Sequence, residues 1–176
     1  QLMLTLCKDK SNLAAISEAR PIKGLVKQIR EGGNDKAEEQ AVAVLSHLTA
    51  ASETDVDDLV ASNGVKPLVS MLGTHSALAR ANASAVISHI AARSPQNQLM
   101  LIAESAIAPL LALLASDNLP KTKAEAAGAL MATADGQPEA QNMIAKTGSV
   151  RQLVLLLSEQ DSHAQQMAAG AIAAIS

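Results

Sequence analysis

Apolar residues return along this chain at two nested periods. The quartet Ile22, Leu25, Val26 and Ile29 in "PIKGLVKQI" recurs as Val65, Leu68, Val69 and Leu72 in "GVKPLVSML". It returns as Ile107, Leu110, Leu111 and Leu114 in "AIAPLLALL", and as Val150, Leu153, Val154 and Leu157 in "SVRQLVLLL". Offsets of 0, 3, 4 and 7 place each quartet on one face of a helix, and successive quartets lie 43, 42 and 43 residues apart. Six residues ahead of each stands a further apolar anchor, Ile16, Leu59, Leu101 or Ile144, which predicts a short helix. Pro95 and Pro138 are placed as first-turn prolines of two of these short helices. A third helix is predicted after each quartet, in "AVAVLSHLTA", "ASAVISHIAA", "AAGALMATA" and "AAGAIAAIS", anchored by Leu45, Ile87, Leu130 and Ile172. Loops of small and polar residues, "EGGND", "GTHSA", "ASDNLP" and "SEQDSH", separate the second helix from the third.

The predicted unit is short helix, middle helix, long helix. One all-α domain over 1–176 is expected, with repeats at about 12–52, 54–93, 95–136 and 138–176 behind a partial third helix at 1–8 in which Leu2 takes the place of Leu45. Such a unit cannot bury its apolar stripes alone, so neighbours stack and share a continuous core. Both ends continue the pattern without a polar cap, and Gln1 is neither an initiator Met nor the start of a signal peptide. The chain is therefore expected to be a fragment of a longer array.

Composition sharpens this picture. The apolar share is 48% but Phe, Tyr and Trp are all missing, so the core must be built from Leu, Ile, Val, Ala and Met, which suits thin helical layers. The net charge is −3, from 14 basic and 17 acidic residues. Lys8, Lys10, Arg20, Lys23, Lys27, Arg30 and Lys36 lean to the N-terminal quarter, but Asp9, Glu18, Glu31, Asp35, Glu38 and Glu39 are interleaved with them. That is a solvated surface, and without stacking aromatics no nucleic-acid partner is expected. The single cysteine, Cys7, has no internal disulfide partner and reads as a buried small hydrophobe in a reducing compartment, the cytoplasm or alternatively the nucleus. No apolar run approaches the length of a membrane span.

The candidate chemistry is sparse. His75 and His163 fall in predicted loops, whereas His47 and His89 hold equivalent positions on adjacent third helices, with backbones about 10 Å apart if the helices pack. Zinc needs three or four ligands at about 2 Å, and no Cys, Asp or Glu recurs at that level, so no metal site is expected. The acid-rich "SETDVDD" at 52–58 reads as a capped helix start, and no glycine loop is built to cradle phosphate. Catalytic residues, cofactors and a small-molecule substrate are accordingly not expected.

"NGVKPLVSML" at 63–72 and the helix endings "VLSHLTA" at 44–50 and "VISHIAA" at 86–92 resemble the armadillo repeat, whose middle helix carries such a Gly/Pro/"LV" phrase and whose third helix ends in a phrase like "AL-S-N-LA". The resemblance covers essentially the whole chain. HEAT repeats, with two helices per unit, lack the Pro-bearing phrase. The resemblance implies a right-handed α-α superhelix whose third helices line a concave groove, and a protein partner held there as a peptide or helix. The family's peptide-holding Asn ladder falls here on Leu4, His47, His89, Ala132 and Ala174, and the Trp array of importin-α falls on Ala43, Ala85, Gly128 and Gly170. Both are replaced, which argues against an importin-α-like role because no aromatic shelf remains for basic side chains. His47 and His89 become the candidate polar rungs, and the Ala and Gly positions an expected floor allowing close approach. The expected function is an interaction scaffold with no catalysis of its own. The alternative is the substrate-recognition part of a larger U-box ubiquitin ligase. A membrane would be reached only through an acylated region outside this segment.

Overall fold

The computed structural model describes residues 2–115 and 118–175; Gln1, Ser116 and Asp117 of the predicted "ASDNLP" loop, and Ser176 at the end of the last predicted helix lie outside the described residues. Every regular element among the described residues is helical. The chain opens with α1 (Leu2–Cys7) and a 3-10 turn at Lys10–Asn12. Four three-helix units follow: α2 (Leu13–Glu18), α3 (Ile22–Glu31) and α4 (Asp35–Ala51); α5 (Glu53–Ala61), α6 (Val65–Met71) and α7 (Ala77–Arg93); α8 (Pro95–Ala103), α9 (Ile107–Ala112) and α10 (Pro120–Ala134); α11 (Pro138–Lys146), α12 (Val150–Leu156) and α13 (Ser162–Ala174). None of these helices is long and apolar enough to cross a membrane.

Local chemistry sets the helix starts. Ser52 caps α5 by accepting from Asp55 N at 3.2 Å, and Ser94 caps α8 by accepting from Asn97 N at 3.2 Å. Asn34 and Ser76 do the same for α4 and α7. These side chains satisfy backbone donors that a helix cannot pair internally. Pro95 and Pro138 open α8 and α11, where a missing N–H costs nothing. The turn from α3 into α4 runs through Gly32 and Gly33 at φ 68° and 94°, a region that side chains other than glycine's rarely adopt.

Packing is sequential. The long third helices lie side by side, α4 on α7, α7 on α10 and α10 on α13, while α1 rests against α4. One continuous core runs from Cys7 to Ala171. Its middle is filled by the predicted anchors: Leu45, Ile87 and Leu130 from the third helices and Leu59, Leu101 and Ile144 from the short ones are all fully buried. Each such side chain contributes about 1.5–3 kcal/mol through burial, so the stack is held by many modest and mostly local terms.

Three expectations are modified. His163 lies in the first turn of α13, not in the loop before it, because Asp161 caps that helix by accepting from His163 N at 2.9 Å and Ala164 N at 3.3 Å. The fourth quartet is only partly covered: Leu153 is buried, but Val150 and Val154 are exposed. Leu2 is 73% exposed rather than buried like Leu45, and in α1 Cys7 packs into the core instead.

Candidate functional site

The predicted rungs stand on α4 and α7, two helices in direct contact. His47 and His89 are both half-buried. The Thr49 hydroxyl has one hydrogen, which it donates to the Leu45 carbonyl oxygen at 2.8 Å. His89 Nδ1 lies 2.9 Å from the same hydroxyl oxygen. If the hydroxyl proton stays on the Leu45 carbonyl, Nδ1 is the ring nitrogen that donates, and Nε2 is then the acceptor of a neutral ring. Burial pushes the His89 pKa below its ordinary value and favours this form.

His47 is held below its ordinary pKa by burial first, and then by the charges of Lys121 and Lys8. Lys121 lies in the first turn of α10, two units away along the stack, and Lys8 follows α1. Both lysines are exposed. Both charges oppose protonation of His47.

The remaining predicted positions divide. Ala85, Ala132, Gly170 and Ala174 are half-buried, as is Leu4, while Ala43 and Gly128 are buried. The expected glycine floor is not open. Gly128 lies under Met167, whose Sδ is 2.9 Å from the place a β-carbon would take, and Gly170 is covered in the same manner by Met131. Each methionine fills the notch left by a glycine on the neighbouring third helix, so α10 and α13 interlock and the surface there is thioether rather than bare backbone. The Ala132 carbonyl is also engaged, accepting from Gln98 Nε2 at 2.9 Å, and Gln98 Oε1 in turn accepts from Gln137 Nε2 at 2.8 Å. Open polar character thus concentrates over the first two units. Sequence reasoning missed Thr49, Lys8, Lys121, Met131 and Met167.

Outside these helices, burial pushes the Cys7 thiol up, away from a reactive thiolate. His163 Nε2 lies 3.6 Å from Glu125 and His75 sits in an exposed loop. Among the described residues, no three His, Cys, Asp or Glu side chains gather closely enough to hold a metal ion.

No family model and no curated protein matches the sequence. Solved structures do match. A designed armadillo repeat protein aligns at a TM-score of 0.84 and 24% identity, over 99% of this chain and 73% of that one. The fold is an armadillo-like repeat solenoid. Computationally designed armadillo repeat proteins for modular peptide recognition align at a TM-score of 0.83 and 26% identity, over 98% of this chain and 72% of theirs. A third designed armadillo repeat protein, in complex with the peptide (KR)4, aligns at 0.80 and 23%, over 98% and 72%. In the armadillo-like frame, His47 and His89 hold equivalent positions on adjacent third helices.

Proposed function

We propose that this chain is a binding scaffold without catalysis of its own, and that it holds an extended peptide across α4 and α7 in the hollow formed by its third helices. The carrying observation is the pair of half-buried, neutral histidines on adjacent third helices, beside Lys8 and Lys121. His89 Nε2 accepts a hydrogen bond from a peptide amide, and neutral His47 offers one donor and one acceptor. An extended backbone presents unpaired donors and acceptors for such side chains to bind. The solenoids similar in fold, one of which is in complex with (KR)4, support the peptide mode.

The charge preference follows from the lysines. With Lys8 and Lys121 beside His47 and no aromatic residue in the chain, a basic peptide meets repulsion and no cation-π shelf. A peptide bearing carboxylates is favoured instead. A lone buried cysteine fits work in a reducing compartment such as the cytoplasm.

Fluorescence anisotropy with labelled (ES)4, (QS)4 and (KR)4 peptides tests this reading. Affinity should fall in that order, and the double variant His47→Ala/His89→Ala should bind (ES)4 at least about tenfold more weakly, the loss of one or two charge-assisted or buried hydrogen bonds. Equal affinity of the double variant for (ES)4, or a preference for (KR)4 that the double variant loses, rejects it.

A further inference from the structure

The turn that begins each third helix carries a side chain four residues after the cap residue, and it does one job in three units. In the second unit Arg80 Nη1 donates to the Thr74 and His75 carbonyl oxygens of its own loop at 2.7 and 3.1 Å, and Nη2 reaches the next unit's loop at Asn118 Oδ1, 2.9 Å away. In the third, Lys123 Nζ bridges to Glu159 Oε1 of the following loop at 3.0 Å. In the fourth, Gln165 Nε2 donates to the Leu157 and Glu159 carbonyl oxygens at 3.2 and 2.9 Å. Each is a donor that closes the loop edge. The equivalent residue of the first unit is Glu38, whose carboxyl group carries no N–H to donate.

The junction between units one and two is accordingly open. Two cavities of about 670 and 470 Å³ adjoin there, with Glu38, Met71 and Thr74 in the walls of both. The loop end of this cleft is acidic: Asp35, Glu38 and Glu39 face one lysine, Lys36. In the other cavity Arg30 and Lys66 are balanced by Glu38 and Glu104. Glu39 is occupied, since it accepts from the Ser76 hydroxyl. Thr74 Oγ1 is buried without a partner, as is Arg80 Nε. So the first junction offers an uncommitted carboxylate and empty volume, at the level where the second junction holds a guanidinium between two loops.

We propose that the cleft between units one and two binds a guanidinium group, the side chain of an arginine on a partner segment running along the loop edge, which there completes the tie that Arg80 makes one unit on. Glu38 supplies the charge and a forked acceptor for the planar cation, and loop carbonyls take its remaining hydrogens. A divalent metal fits less well, because the acids here do not converge as a ligand set. The cleft lies on the loop edge, apart from the third-helix rungs, so it stands or falls independently of the peptide reading above.

Titration of the 15N-labelled chain, followed by amide chemical shifts, tests the proposal with N-acetyl-arginine amide, its neutral isostere N-acetyl-citrulline amide, free arginine and calcium chloride as probes. The arginine amide should shift the Glu38, Thr74, His75 and Ser76 resonances saturably, and the citrulline compound should not. Glu38→Gln should weaken the response at least about tenfold, the worth of a charged hydrogen bond. Glu38→Arg, which writes into unit one the residue of unit two, should abolish it while the helical circular dichroism is kept. Equal response to citrulline, tighter binding of free arginine than of the amide, a response to calcium alone, or undiminished binding by folded Glu38→Arg would each overturn the assignment.

Discussion

Asp55 and Asn97 occupy equivalent places at the starts of α5 and α8, 42 residues apart, yet only Asp55 leaves a buried side-chain atom unpaired. Asn97 Nδ2 donates to the Ile90 carbonyl oxygen at 3.0 Å. Asp55 is 2% exposed; its Oδ1 accepts from the Ser17 hydroxyl at 2.9 Å, and its Oδ2 is buried with no partner. Burial, with a smaller push from Asp58, raises its pKa against the opposing bonds from Ser17 and Ser52. A raised acid stabilises most in its protonated form, so this contribution is complete below the unfolded value of 3.8 and is lost as pH rises through the folded one. Asp55→Asn, which supplies the donor that Asn97 has, should therefore raise stability at pH 7 by about 1 kcal/mol, with a smaller gain near pH 4, read from urea midpoints. The histidines work in the opposite sense. Their folded pKa values lie below 6.5, so their contribution is complete above that pH and fades as pH falls through the folded values; His47→Ala/His89→Ala should flatten this slope. The repeated His was legible in the sequence because both units carry it. Thr49 was not, since Ala91 and Ala134 stand at its equivalents and no repetition marks it.

At the scale of elements, the pattern of apolar positions was enough to place all twelve helices of the four units, because most anchors, Leu45, Leu59, Ile87, Leu101, Leu130 and Ile144 among them, are buried between packed helices. First-turn prolines were legible for the same local reason. Caps decided the boundaries that the pattern did not, as the Asp161 cap did when it drew His163 into α13. Ser94→Ala should cost about 1 kcal/mol in urea denaturation, since α8 then begins with an unpaired donor at Asn97. The interlock of Met131 with Gly170 and of Met167 with Gly128 was not legible. It depends on how two third helices slide past one another, and no single helix's periodicity encodes that register.

Across the whole molecule the contacts run between neighbours, so stability should vary along the stack rather than rise and fall as one block. Native-state hydrogen exchange should find the greatest protection in α7 and α10, which are flanked on both sides by third helices, and the least in α1 and α13. Leu130→Ala, a fully buried anchor in α10, should cost about 2–5 kcal/mol and lower protection in α7 and α13 before α4. The all-helical solenoid was readable because repetition multiplies a weak local signal. The candidate site was readable only in part, because the surface over the third helices depends on differences between repeats: the lysines that act on His47, the methionines over the glycines, and the cleft at Glu38. Whether the third helices of the first two units hold a peptide is the central question, and amide chemical-shift mapping of the 15N-labelled chain with (ES)4 answers it most directly. The account predicts that the largest shifts cluster at Ala43, His47, Ala85 and His89, with smaller ones near Lys8 and Lys121; shifts confined to α6, α9 and α12, or none at saturating peptide, would contradict it.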